Sequence, residues 1–398
     1  MRSLNIYCND TIKDSEIVIR SCTLEAKDGE RLSSSTVLKY ELPATIGLPD
    51  DNDAEAYLIA TILKAMAEKR TLKVHGSVSK TLLSNLTEFR DAWNCWLPDL
   101  YHNIDFEATN IDDSVIVQNN AAIAAFSGGL DSTFTVWRNT KKLAGYRNQD
   151  IKACVMVQGF DIFKKHEYIK AFNQAQDTLN DINIPLLPLN TNFRTVCKQD
   201  WNDTHGVALA SCLNNFKRSY SIAIIAGSYN YYVYPNGSNP LTDSLLSSSE
   251  LRIVHDGAKF NRHQKTLGVS NWTKGVNNLR VCYSGLQRHV NCGRCGKCIQ
   301  TRLRFVVNGL DAPRSIPILK NGLAIRKIFL PSLSLEKGYN QDFKIAKINK
   351  IRIKFKWSYY YMIYKSKLLR GIKKISPKII RNIGKKLYHA FTDKTNLR

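Results

Sequence analysis

Two short stretches of the 398-residue chain hold residue types whose spacing can do chemistry. The first is Ala124-Ala125-Phe126-Ser127-Gly128-Gly129-Leu130-Asp131-Ser132-Thr133, a small apolar run that meets two glycines and then a helix start. Glycine has no Cβ, so backbone N–H groups there can approach an anion closely, and the first turn of a helix adds free donors and partial positive charge. The Ser127 and Ser132 hydroxyls can donate further bonds to phosphate oxygens. Asp131 repels a phosphate directly, so its expected role is to orient the loop or to hold Mg2+, which bridges carboxylate and phosphate. The plain alternative is a glycine turn with Ser and Asp as helix caps. The complete six-residue string at the first strand of an alternating α/β region favours the phosphate loop.

The second stretch is Cys282, Cys292, Cys295 and Cys298, with nine, two and two residues between successive cysteines and Gly293 and Gly296 in the knuckles. Four thiolates in a tetrahedron suit Zn2+, and a closed four-thiolate site is structural. An iron–sulfur cluster is the main rival, and free or redox-paired thiols are the plain alternative. The chain has ten cysteines, but four crowd here while six are scattered, and Met1–Asp10 shows neither an apolar core nor a cleavage site. That pattern predicts a cytoplasmic protein with a metal site and no disulfide framework.

Around these stretches the periodicity sets the elements. Residues 1 to about 115 mix β-branched alternation at Ser15–Cys22 and Ser35–Leu42 with a helical face at Tyr57, Leu58, Ile62, Ala65 and Met66, which reads as a small α+β domain. From about residue 116 strands alternate with helices. Strands are expected at Ala121–Phe126, Ala153–Val157, Ile184–Leu189, Ser221–Ala226 and Leu251–His255, with helices between the first four and another from about Asn261. The fold class is therefore α/β, a doubly wound parallel sheet over residues 116–330, flanked by the N-terminal domain at 1–115 and a basic helical tail at 331–398.

Further candidates lie downstream of the loop. Arg262 and Lys265 are three residues apart, share a helical face after His255-Asp256-Gly257-Ala258, and form a candidate second phosphate clamp. A solvated basic face is the alternative. His205 and Asp243 are weaker candidates, each as readily a local cap as a ligand contact.

The string Ser127–Ser132 resembles the S-G-G-x-D-S signature of the PP-loop ATP pyrophosphatases, and no Walker A or G-x-G-x-x-G string occurs. The resemblance implies an adenine nucleotide α-hydrolase-like fold that splits ATP to AMP and pyrophosphate and adenylates a substrate. It implies that Ser127, Gly128, Gly129, Leu130, Asp131 and Ser132 hold the polyphosphate, that Lys265, with Arg262 second, is the downstream basic residue, and that Asp131 and Lys265 serve catalysis. It also places adenine over Val157 by backbone readout. The order and spacing of loop and cysteines over about residues 120–305 are similar to the 7-cyano-7-deazaguanine synthases. That similarity implies a carbon–nitrogen ligase that activates a small-molecule carboxylate or carbonyl, with Mg2+ at the nucleotide and Zn2+ at the cysteines. The N-terminal domain, the tail and the loop from Tyr234 to Asp243 fall outside the resemblance.

The formal net charge is +23, and its location says more than its size. From Lys344 to Arg398 there are 17 Lys and Arg against one acid, Asp393, interleaved with Trp357, Tyr359, Tyr360, Tyr361 and Tyr364. Such a tail can bind an RNA backbone, lie on an anionic membrane surface, or pack as a solvated extension. Two other functions accordingly stand beside the ligase: a tRNA base-modifying enzyme, and a non-catalytic nucleotide-binding scaffold peripheral to the membrane. No apolar run approaches the roughly 20 residues of a membrane span.

Overall fold

Buried and half-buried side chains alternate along β3 (Ile17–Asp28), and Gly29 at φ +67° turns the chain back into β4 (Arg31–Pro43), so the two form a long hairpin. The computed structural model describes residues 2–114, 119–231, 236–282 and 284–375; the expected boundary at 115/116, Tyr234-Pro235 and the tail beyond 375 lie outside the described residues. β1 (Arg2–Cys8) pairs antiparallel with β3, and the short β2 (Ile12–Lys13) also pairs with β3. On its other side β1 pairs parallel with β5 (Thr71–Ser79), which is followed by β6 (Phe106–Asp112). Two helices connect these strands, α1 (Glu55–Glu68) and α2 (Lys80–Trp96). Ser79 caps α2 by accepting the Leu82 N–H.

The second half of the sheet is parallel. It comprises β7 (Ala121–Ala125), α3 (Leu130–Thr140), β8 (Asp150–Gln158), α4 (Lys165–Asn180), β9 (Leu186–Thr191), α5 (Phe193–Val196), α6 (Trp201–Asn214), β10 (Ile222–Ala226), β11 (Arg252–Asp256), α7 (Arg262–Ser270) and α8 (Thr273–Asn277). The strand order is β11-β10-β7-β8-β9, so the chain proceeds one way from β7 through β8 to β9 and returns to the other side of β7 for β10 and β11. Both faces are covered. Ile123 of β7 packs with α1 and α6 residues such as Ile62 and Val207, whereas Ala122 and Ala124 pack with Val136 of α3 and Ala171 of α4. A strand buried on both sides reads as an unbroken apolar run, which is what Ala121–Ala125 is.

The N-terminal strands join the parallel strands edge to edge. β4 pairs antiparallel with β9 through Tyr40↔Thr191 and Glu41↔Asn190, and side chains reinforce the seam. Asn190 donates to Glu41 Oε2 at 2.8 Å, and Asn192 both accepts from the Lys39 N–H and donates to the Val37 carbonyl. One mixed sheet therefore runs from β11 to β6. The chain divides into two compact units, Met1–Tyr283 with Gln287–Val290 and Ser284–Leu286 with Asn291–Arg398.

A buried charge cluster ties α1 to the end of α6. Lys217, 2% exposed in its side chain, meets Glu55 Oε2 at 2.7 Å, Glu250 Oε1 at 3.2 Å and the Asp53 carboxylate. Arg20 reaches Asn215 Oδ1 at 2.8 Å and the Asp53 carbonyl at 3.0 Å. Burial raises the Glu55 carboxyl, and the Lys217 charge outweighs it to hold that group below the usual carboxylate range.

In the second unit, α9 (Gly296–Val307), α10 (Leu323–Lys327), α11 (Leu333–Ile348) and α12 (Lys356–Ile375) share a core of Ile299, Leu303, Ile325, Tyr339, Tyr359 and Met362. The described part of the basic region is thus a packed helical layer and not a loose extension.

Replacing Lys217 with Met strands Asp53, Glu55 and Glu250 without their shared cation, so urea denaturation is expected to show a loss of about 3–5 kcal/mol. A loss within 1 kcal/mol, as is typical of surface ion pairs, contradicts that assignment.

Candidate functional site

The point beside β7 where strand order reverses is where an open α/β sheet leaves a crevice at the carboxyl ends of its strands. Three sequence-nominated groups come together there. Ser127–Ser132 leaves the carboxyl end of β7, with Ser127 exposed and Gly128 at φ +70°. An L-residue with a side chain pays about 1–2 kcal/mol at such an angle. Ser132 Oγ donates to the Gly129 carbonyl at 3.2 Å and accepts the Ser127 N–H at 3.3 Å, while Gly129 N–H donates to Ser127 Oγ at 3.3 Å. Both hydroxyls therefore shape the bend. No side chain among the described residues caps α3 at Gly129, in contrast to α2, α6 and α7, which are capped by Ser79, Asp200 and Asn261. The first N–H groups of a helix have no carbonyl one turn back, so this end is left to accept an anion.

The positive charge arrives from α7. Asn261 and Gln264 form a reciprocal capping box, which fixes where that helix starts and which way its first turn points. Lys265, 1% exposed, donates from Nζ to Asp131 Oδ1 at 2.9 Å and to the Gly227 carbonyl at the end of β10. Arg262 Nη2 stands 3.3 Å from Asp131 Oδ2 with its side chain 29% exposed. Asp131 thus aims both cations at the loop, whichever of its two sequence-based roles applies. Val157 lies near the carboxyl end of β8, paired with Leu189 and with its side chain in the core, which leaves only its backbone for contact. Two residues on, Gly159 takes φ +100°, and a Cβ there would come 2.0 Å from the Thr191 carbonyl oxygen.

Other nominated residues turn to local duties. Asp256 accepts from Thr135 Oγ1 at 2.9 Å and from Arg138, fastening α3 to β11. Asp243, fully buried, accepts from Ser238 Oγ and His255 Nδ1 at 2.7 Å each and from the Asn239 N–H at 3.1 Å. His205 Nδ1 lies 3.0 Å from the Trp201 carbonyl, and burial lowers its pKa.

Arg280 was not legible in the sequence. Its N–H donates to the Gly128 carbonyl at 2.8 Å, its Nε to the Ser127 carbonyl at 3.3 Å and its Nη1 to Asp161 at 2.8 Å, so it braces the loop from behind. Nothing in its spacing marks it, since the contact spans some 150 residues and both of its bonds to the loop end on backbone.

The four cysteine Sγ atoms, of Cys282, Cys292, Cys295 and Cys298, all lie within 4.8 Å of one another. A tetrahedron with metal–sulfur bonds of about 2.3 Å has edges near 3.8 Å, so small side-chain adjustments complete a metal site. The Cys295 N–H donates to Cys292 Sγ at 3.3 Å. Gly293 takes φ +69° in the knuckle, and a Cβ there would press on Pro317 at 2.9 Å. Cys295 is the residue that precedes α9 and Cys298 lies in its first turn, at the positive end of the helix dipole. The cluster can bind a metal such as zinc.

Against known proteins, no family model matches the chain and no solved structure matches it. It is 36% identical over 70 residues to the 7-cyano-7-deazaguanine synthases of Brucella ovis, Brucella canis and Brucella suis, a stretch covering 18% of this chain and 24% of each relative. The similarity thus spans about a quarter of those relatives' length.

Gly128→Ala is expected to lower stability by about 1–2 kcal/mol in urea melts through backbone angle alone, because the added Cβ is 3.9 Å from its nearest neighbour, Arg280 Cβ. An unchanged midpoint contradicts the left-handed bend.

Proposed function

We propose that this chain is a PP-loop enzyme that splits ATP between the α and β phosphates and adenylates a small-molecule carboxylate or carbonyl, as a carbon–nitrogen ligase. The observation that carries the reading is the uncapped α3 terminus at the strand-order reversal, with Lys265 held against Asp131 beside it. The similarity to 7-cyano-7-deazaguanine synthases supports it.

The chemistry follows from charge. A substrate oxygen forms a bond to the α-phosphorus, the bond from that phosphorus to the bridging oxygen breaks, and pyrophosphate leaves with the electron pair. Loop N–H groups from Ser127 to Ser132 bind the departing pyrophosphate, and Lys265 and Arg262 neutralise its growing charge. An amine then displaces AMP from the activated carbon and loses its proton. Mg2+, held by Asp131, would supply further charge neutralisation at the phosphates. The protein provides no nucleophile of its own; it positions and neutralises. In this reading Val157 offers backbone contacts to adenine, and Cys282, Cys292, Cys295 and Cys298 hold a structural Zn2+.

Steady-state pyrophosphate release from ATP, screened over carboxylate metabolites with ammonia, tests the reaction. Lys265→Met is expected to lower kcat/KM by about 10²–10³-fold with the near-ultraviolet circular dichroism unchanged. Release of inorganic phosphate without pyrophosphate, or full activity in the variant, contradicts the proposal.

Elemental analysis of the purified protein is expected to find a single zinc per chain, lost in Cys292→Ser. Iron in its place, or zinc retained by the variant, contradicts the structural zinc.

A further inference from the structure

α12 carries two apolar faces, and the protein uses only one. Tyr359, Met362 and Ile363 turn inward to the core of the second unit. Trp357, Tyr361, Tyr364 and Leu368 turn outward, 80%, 52%, 67% and 54% exposed, at spacings of four, three and four residues that align them in one stripe. Ile348, 76% exposed, ends α11 with a further bare aliphatic group. Large exposed apolar stripes of this kind mark interaction surfaces.

Next to the stripe runs an open groove whose lining includes Arg326, Lys344, Lys347, Arg352, Lys354 and Lys356, and no Asp or Glu among the described residues lines it. Its partner is therefore anionic. Two anionic partners accept aromatic side chains, a single-stranded nucleic acid and a phospholipid surface, and they ask for different things of the rings. Bases need a free ring face on which to stack. Here Phe343 and Trp357 meet Tyr360 at steep angles, with centroids 5.3 and 5.9 Å away, and Lys356 Nζ stands 5.5 Å from the same ring centre. The Arg326 guanidinium is 5.9 Å over Tyr361 and Lys354 Nζ is 5.2 Å over Phe355. Several ring faces thus already carry a cation or another ring, while Leu368 and Ile348 have nothing to offer a base. A bilayer interface accepts Trp and Tyr at headgroup depth, takes up Leu and Ile, and leaves the lysines level with lipid phosphates.

We infer that the outward stripe of α12, Trp357-Tyr361-Tyr364-Leu368, docks flat on an anionic phospholipid surface, with the flanking lysines and arginines on the headgroup phosphates. The helix lies on the membrane and does not cross it, since no described helix is long and apolar enough to span a bilayer. This inference is independent of the proposed reaction.

The test is co-sedimentation of the full chain with phosphatidylcholine vesicles, with and without phosphatidylglycerol. Binding is expected only when phosphatidylglycerol is present. The triple variant Trp357→Ser, Tyr361→Ser, Tyr364→Ser, which keeps every charge, is expected to bind at least about tenfold more weakly. Lipids brominated in the acyl chain are expected to quench tryptophan emission in the wild type and much less in Trp357→Phe, a conservative change that decides the matter even if the triple variant fails to fold. Equal binding by a folded triple variant, identical quenching in Trp357→Phe, or no phosphatidylglycerol-dependent binding overturns the inference. So does ring-dependent binding of single-stranded RNA by a protein that ignores the vesicles.

Discussion

At Gly128 the backbone takes a left-handed angle, and that one bend converts the end of β7 into the start of α3 within four residues. Everything that makes the site a site follows from it. The bend sets Ser127 and Ser132 against each other and brings Asp131 into the first turn of α3, within reach of Lys265. Arg280 holds the bend from behind through two carbonyls. The loop sits where strand order reverses, and the end of β10 supplies the Gly227 carbonyl that fixes Lys265 from the other side.

Much of this frame was legible in the sequence because both of its signals are local. The five parallel strands appear as short apolar runs between helical periods, and each observed strand starts or ends within a few residues of its expected place. Two glycines beside Ser and Asp advertise a phosphate loop, and close cysteine spacing advertises a metal. Arg262 and Lys265 were legible as a shared helix face, and the capping box at Asn261 gives that face its direction.

What escaped is non-local. The β4–β9 seam rests on two residue pairs about 150 positions apart, too short to leave a periodic trace, so the N-terminal strands read as a domain of their own although they extend the same sheet. The cluster around Lys217 joins acids at 53, 55 and 250, residues that look like ordinary surface charges until folding buries them together. Asp243 reads as a cap or a ligand contact in a loop, yet it is buried against His255 at the end of β11. In each case the chemistry was visible and the partner was not. The basic region shows the converse: its charge was evident, while its division into a packed face and a bare aromatic face on α12 required the fold.

The central claim is that backbone donors between residues 127 and 132 hold a polyphosphate. The most direct measurement is nuclear magnetic resonance of the full chain labelled with 15N at glycine, titrated with pyrophosphate. The amide signals of Gly128 and Gly129, assigned by substitution, should shift together and saturably, while those of distant glycines such as Gly29 and Gly309 stay in place. Signals of Gly128 and Gly129 that remain fixed while the protein binds pyrophosphate elsewhere would contradict the account.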